Sequence, residues 1–414
     1  MPETLTVLKN VRVLDVHHGA LLETGSVVVR DDRIVEVGPE ARMPGVVARI
    51  IDGKGMIVMP GLIDGHVHVT AATADLAALA EWSPFYVAAH SARLLRDMLS
   101  RGFTTVRDTG GADYGLAAAV EEGLIRGPRL IFGGKALSQT GGHGDMRGRG
   151  RVVRDDHPCC PNIAVVCDGV DEVRKVARDQ LRTGASHIKL MLSGGVASPT
   201  DRVESTQFSL DEIRAAVGEA HAAGAYVAGH AYTAEAIDRA LSAGVRSIEH
   251  GNLLEASSIE LFLQHGAFYV PTLVTYDRLS KDGPQFGLPA ASFEKVSAVL
   301  DRGLGALEMA HRAGVNIVFG TDLLGGMQIH QLDELRLRSE VQPPIEIIRS
   351  ATVTAARLLH REGEVGSVTV GALADLILVD GNPLEDLGVL LDPDKRLRMI
   401  MKGGVVHRDR TQAA

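Results

Sequence analysis

Short apolar runs that end on a polar or charged residue recur through the middle of this chain. Amphipathic stretches of helical period separate them. Residues 56–59 lead through Pro60-Gly61-Leu62-Ile63-Asp64-Gly65 to His66 and His68. Ser186-His187-Ile188-Lys189-Leu190-Met191 carries one lysine. Tyr226-Val227-Ala228-Gly229 ends at His230, Ser247-Ile248-Glu249 at His250, and Ile317-Val318-Phe319-Gly320-Thr321 at Asp322. Counting strands gives eight, ending near His68, Arg107, Leu137, Lys189, His230, His250, Thr275 and Asp322. Strands alternating with helices predict an α/β fold with a parallel sheet, and eight such units fit a closed (β/α)8 barrel better than an open doubly wound sheet. The helices carry their own punctuation. Ser209 and Glu212 stand at capping-box spacing, Gly184 follows a helix over 171–183, and Thr233 opens another. No Gly-rich phosphate loop follows the first strand, which speaks against nucleotide binding.

Both ends of the chain read differently. Residues 5–9, 11–15, 26–30, 33–37 and 49–52 are strand-like and separated by turns such as Asp31-Asp32 and Gly53-Lys54-Gly55. Residues 367–368, 375–379, 397–401 and 404–407 read the same way. Neither piece suffices for a sandwich alone, so the two predict one discontinuous β-sandwich, with residues 1–59 and 363–414 flanking a barrel over 60–362. At 414 residues the chain is too long for one compact domain unless it is a barrel with an appendage.

A net charge of −9 argues against nucleic-acid binding. No apolar stretch approaches the ~20 residues of a membrane span, and residues 1–6 lack the basic and apolar regions of a secretory leader. The three cysteines, Cys159, Cys160 and Cys167, suggest a reducing, cytoplasmic setting. They are one short of a closed four-cysteine metal site. The basic stretch Arg147-Gly148-Arg149-Gly150-Arg151 reads as a solvated loop. The expected partner is a small molecule, with no nucleic acid and no membrane, and the expected assembly a homo-oligomer.

Function concentrates at the strand ends. On a strand, residues i and i+2 face one side, so His66 and His68 present both imidazoles to one point, as a metal ion requires. The C-terminal rim of a barrel is where residues from several strands converge, and a buried lysine or aspartate there is costly unless paired or metal-bound. His187 reads as core-facing beside Lys189, and the remaining histidines fall in helical or surface contexts.

The order His-x-His, Lys, His, His, Asp resembles the amidohydrolase superfamily of binuclear-metal hydrolases. The resemblance also covers Val58 to His68, Gly102-Phe103-Thr104-Thr105-Val106-Arg107-Asp108, Ile248-Glu249-His250-Gly251, Phe319-Gly320-Thr321-Asp322 and the tail from Gly371 to Leu384. Ala136 to Asp145, Ser193 to Thr200 and Gly229-His230-Ala231-Tyr232-Thr233 are most similar to prolidase-like and carboxypeptidase-like metal-dependent dipeptidases.

The resemblance implies a hydrolase with two divalent metal ions, zinc expected, held by His66, His68, His230, His250 and Asp322. Lys189 would be carboxylated on its amine, so that it bridges the ions as an anion. It implies a metal-bridging hydroxide as nucleophile, with Asp322 accepting its proton and delivering it to the leaving amine. His143, in a Gly-rich loop, is a candidate for stabilising the oxyanion or gripping a substrate carboxylate, and Tyr232 for supplying an O–H to the same end. From the residues alone, both also fit loop packing. The implied substrates are dipeptides (Xaa-Pro or Xaa-hydrophobic) or N-acyl amino acids. The alternative is an amidase, carbamate hydrolase or lactone hydrolase of the same fold, including one that detoxifies an N-aroyl amino acid. The Gly/Ser-rich loop 193–200 reads as a lid or specificity loop.

Overall fold

The computed structural model describes residues 5–39, 49–151 and 161–412. Strands β1 (Leu5–Asp15), β2 (Ala20–Arg30), β3 (Arg33–Gly38), β4 (Arg49–Asp52) and β5 (Ile57–Pro60) open the chain. The central region holds β6 (Leu62–Val67), β7 (Phe103–Asp108), β8 (Arg129–Phe132), β9 (Ala136–Ser138), β10 (Ala164–Val166), β11 (His187–Met191), β12 (Tyr226–Thr233), β13 (Ser247–Leu253), β14 (Phe268–Val270) and β15 (Asn316–Ile317). Strands β16 (Leu376–Val379), β17 (Leu397–Lys402) and β18 (Val405–Asp409) close it.

The two ends form one mixed sheet in the order β18-β17-β16-β5-β1-β2-β3, with β4 also on β1. The join is antiparallel pairing of β16 with β5, from Leu376 opposite Pro60 to Val379 opposite Ile57. Around Asn10, at φ +54°, the register of β1 shifts, so its two halves take β4 and β5 in turn while β2 runs along the other edge. The sheet curls until its far edge meets the lead-in to β16. There Ile34 N donates to Ala372 O (2.9 Å) and Gly371 N to Ile34 O (2.8 Å). In the central strands β5 and β16 both faces are buried, which explains unbroken apolar runs where a half-exposed strand would alternate. Val58, Leu378 and Met399 pack inward with Leu8, Val29 and Ile34. Ile57, Met59, Ile377 and Ile400 face Leu95, Met98 and Leu99 of the helix Pro84–Ser100. Residues 367–368, expected as a strand, lie outside any strand.

The central strands form a barrel of parallel pairs, β6-β7-β8 and β9-β11-β12-β13-β14-β15. Backbone hydrogen bonds close it at both seams. Ser186 N donates to Phe132 O (2.9 Å) before β11. Past β15, Phe319 O accepts from Gly65 N (2.7 Å) and His66 O from Asp322 N (2.9 Å). The third strand comes in two pieces, β8 and β9, broken at Gly133-Gly134. Gly134 sits at φ +72°, where a Cβ would lie 2.2 Å from Gln180 Oε1. The seventh strand ends at Val270 rather than near Thr275, which lies on the helix Leu273–Asp282. Its run continues into apolar helix positions, and periodicity over so short a span does not separate the two. The Ser209–Glu212 capping box forms as its spacing predicts, and Thr233 caps the helix Ala234–Ser242. Arg147 is paired with Asp145 (Nε to Oδ1, 2.7 Å). Cys167 is buried, whereas Cys159 and Cys160 lie outside the described residues. No helix among them is long and apolar enough to cross a membrane.

Candidate metal centre

Alternation on β6 and just past its end turns His66 and His68 the same way. Their Nε2 atoms lie 3.4 and 3.3 Å from one oxygen of Asp322. One ligand atom from each of the three falls within 4.8 Å of the others. Asp322 reaches this point from a left-handed backbone, φ +52°. Nearby, the buried Asp64 accepts from Thr321 Oγ1 (2.7 Å) and Gln331 Nε2 (2.8 Å), tying β6 to the eighth strand. The His250 ring lies 5.0 Å from that of His66 and 4.6 Å from that of His230. Its Nδ1 is 3.9 Å from the other Asp322 oxygen. Lys189, on β11, is buried among them. Among the described residues it makes no hydrogen bond or ion pair, and burial pushes its amine down to about 8.

Ring tautomers follow from the partners, because a carbonyl or carboxylate oxygen can only accept. His66 Nδ1 therefore donates to Glu249 Oε2 (2.7 Å), His68 Nδ1 to Gly110 O (2.8 Å) and His230 Nε2 to Gly194 O (3.2 Å). In the neutral rings this leaves lone pairs on His66 Nε2, His68 Nε2 and His230 Nδ1. His250 Nδ1 bonds Thr272 Oγ1 (2.8 Å), freeing its Nε2. Two of these lone pairs face a carboxylate oxygen at 3.3–3.4 Å, a repulsive arrangement without a cation or proton between them. The donor set fits divalent metal, each ring oriented through its far nitrogen. Burial drives His230 and His250 well below the usual histidine range, which keeps both rings neutral and able to offer a lone pair. Burial also opposes ionisation of Asp322, but positive charge on the facing side, carried by protons on the histidine rings where no cation is bound, overcomes it and holds that carboxyl well below its ordinary value.

Beside His66 lies a fully buried charge network, built on Arg107 and Glu249, for which the sequence offered no role. Arg107 Nη2 donates to both Glu249 oxygens (2.8 Å each) and Nη1 to Ser247 Oγ (3.1 Å). Ser247 Oγ in turn donates to Glu249 (2.6 Å). Strand alternation would turn Glu249 and His250 to opposite faces. His250 at φ +73° breaks it, so both reach the barrel interior. A charged residue next to a candidate ligand histidine was the only sequence signal. His187 packs its ring on Tyr226 (5.5 Å, 15°), facing the core as expected.

His143 stacks on His230 with centroids 4.2 Å apart. Its backbone N donates to Gln207 Oε1 and its Nδ1 bonds Ser198 Oγ, both at 2.9 Å. Burial pushes its imidazole down to about 4. The Tyr232 hydroxyl accepts from Tyr276 (2.9 Å), a partner not foreseen from sequence. Both tyrosines belong to an apolar cluster with Met191, Val196, Leu323 and Leu324, against which Trp82 and Met146 pack.

A family model described as "Amidohydrolase family" matches residues 57–406. A prolidase crystallised with N-methylphosphonate-L-proline is 50% identical, with a TM-score of 0.95 over 98% of this chain and 100% of that one. A Xaa-Pro dipeptidase with bound methionine in its active site is 30% identical, with a TM-score of 0.87 over 98% and 100%. Ochratoxinase of Aspergillus niger is 33% identical over 93% of this chain and 83% of its own length. The chain belongs to the amidohydrolase family and is a metal-dependent hydrolase of prolidase-like character.

Proposed function

We propose that this protein hydrolyses the amide bond of Xaa-Pro or Xaa-hydrophobic dipeptides, or of N-acyl amino acids, at a centre of two divalent metals, zinc first among them. His66, His68 and Asp322 would hold one ion and His230 and His250 the other. Lys189, carboxylated on Nζ, would give an oxygen to each. The observation that carries this reading is the convergence of ring lone pairs on Asp322, with a buried, unpaired Lys189 among them. Carbamate formation needs the neutral amine, and at about 8 roughly one Lys189 in ten is neutral at pH 7. A bridging anion also removes the conflict of an ammonium held between cations.

When bound, such ions acidify water and polarise the scissile carbonyl. Asp322 would take the water's proton and pass it to the leaving nitrogen. The Tyr232 hydroxyl accepts from Tyr276, so its own hydrogen is free for a substrate oxygen. His143, fixed at Nδ1 by Ser198, has Nε2 left for the substrate's amino-acid end, and would hold a carboxylate there by taking up a proton as the substrate binds. The apolar cluster around Tyr232 suits a proline or apolar side chain. The likeness to ochratoxinase supports N-aroyl amino acids as a second substrate class.

The test is elemental analysis of the purified protein, followed by a library of dipeptides, N-acyl and N-aroyl amino acids. About two divalent ions per chain and turnover abolished by chelators are expected. Full activity without transition metal would end this reading.

A further inference from the structure

The segment after β11 doubles back tightly. Gly194 N donates to Ser205 O (2.8 Å) and Gln207 N to Leu192 O (2.9 Å). A Cβ on Gly194 would lie 1.8 Å from the Arg202 carbonyl, and one on Gly195 only 2.0 Å from the His143 ring. The loop backbone is thus pressed against the imidazole. The single hydrogen of Ser198 Oγ is shared by the Asp201 carboxylate and Gly195 O (3.1 Å), so towards His143 the hydroxyl can only accept, and His143 Nδ1 carries the proton. Asp201 also accepts from Gly195 N and Gln207 Nε2 (3.1 Å each), while Gln207 Oε1 holds the His143 backbone N. Both grips on His143 therefore run back to one buried carboxylate.

That carboxylate and its loop are held from elsewhere in the chain. Lys295, on the helix Ala290–Ala313, sends its Nζ to Asp201 O (2.7 Å), Ser198 O (2.8 Å) and Gly195 O (3.1 Å), with Asp201 Oδ1 at 3.3 Å. The Asp201 side chain is 2% exposed and that of Lys295 19%. A helix lysine ordinarily keeps its head in water. Here three carbonyls and a carboxylate surround the ammonium as they would a small cation, and its three hydrogens match the three carbonyls. Removing it leaves Asp201 buried without its countercharge, the Ser198 and Asp201 carbonyls without a donor, and Gly195 O with only its share of the Ser198 hydroxyl. The loop must then open to hydrate them.

We propose that Lys295 is a positioning residue for this active site: its ammonium fills an oxygen cage in the 194–201 loop and thereby fixes His143 for substrate binding. This rests on the reading of His143 as a substrate contact. The loop that sequence marked as a lid or specificity element is, on this view, a pinned wall.

Lys295→Ala should lower kcat/KM about 10- to 100-fold, as loss of a residue supporting a site contact typically does, chiefly through KM and with metal content unchanged. Ammonium or n-propylammonium chloride should restore several-fold of that loss, and tetramethylammonium at equal ionic strength should not. In a His143→Ala background the same substitution should change kcat/KM less than about twofold, because the effect runs through His143. An undiminished kcat/KM, an equal further loss in that background, or the absence of alkylammonium rescue would each overturn the proposal in favour of a plain helix anchor. Lys295→Met, which keeps the stem, carries the same double-mutant comparison should the alanine variant not fold. A second readout is independent of turnover. The thermal midpoint of Lys295→Ala should rise with n-propylammonium but not with tetramethylammonium, and that of the unsubstituted protein with neither. If the unsubstituted protein cleaves no amide in the library, the functional reading fails while the midpoint still decides the cage.

Discussion

Glu249→Gln separates charge from shape in the network behind His66. The carboxylate accepts four hydrogen bonds, two from Arg107, one from Ser247 and one from His66, at 2.6–2.8 Å. Arg107 and Glu249 side chains are both 0% exposed. A glutamine offers one oxygen, and its NH2 confronts a donor whichever way it turns. Leaving the guanidinium buried without its counter-ion costs about 3–5 kcal/mol. Unfolding entropy near 60 °C is about 2.1 cal/mol/K per residue, or about 0.9 kcal/mol/K for 414 residues, so the midpoint should fall by about 3–6 °C. His66 also loses the acceptor that fixes its Nδ1–H, and metal affinity should drop about 10- to 100-fold.

The sign of the pH dependence is set by the folded carboxyl. Burial opposes its ionisation, but Arg107 and His66 hold it well below the ordinary value of 4.5. Its contribution is therefore present above about pH 4.5 and is lost as pH falls through the folded value. Glutamine should remove that part of the acid limb. Calorimetry of the metal-free proteins across pH, and elemental analysis after dialysis against graded chelator, measure both effects. A variant with the original midpoint, acid limb and metal content would refute this account of the network.

Lys189→Ala should lose metal and turnover together, and acetate or propionate should partly restore both; retention of metal content and rate would remove the bridge assignment. His143→Ala should weaken substrate binding and rate with the metals in place. Carboxyl-blocked analogues should be cleaved orders of magnitude more slowly than the free acids, since leaving a buried donor unpaired costs several kcal/mol; equal kcat/KM for the two would instead favour a carbamate or lactone hydrolase. Ser209→Ala removes half of the capping box and should cost about 1 kcal/mol of stability, read by denaturant midpoint, with kcat unchanged.

What the sequence determined by itself is what depends on neighbours along the chain. Helix starts at Ser209 and Thr233 follow from side chains that reach their own first turn. Apolar runs ending in His68, Lys189, His230, His250 and Asp322 announce strands and their functional rim, because period and polarity are local properties. Even the joining of the two ends was legible, since neither set of strands could bury its apolar faces alone.

Only the tertiary structure decided what depends on approach between distant segments. It broke the third strand at Gly133-Gly134 and ended the seventh at Val270. It placed Glu249 against Arg107, 142 residues away, by turning the backbone left-handed at His250. It set Tyr276 on Tyr232, and it carried Lys295 across nearly a hundred residues to the loop that grips His143. Neither Tyr276 nor Lys295 stands out in its own stretch of sequence, where a lysine or tyrosine on an amphipathic helix reads as surface or core. Local pattern fixes which way a side chain leaves its own backbone, whereas the partner it meets is set by how the barrel closes around it.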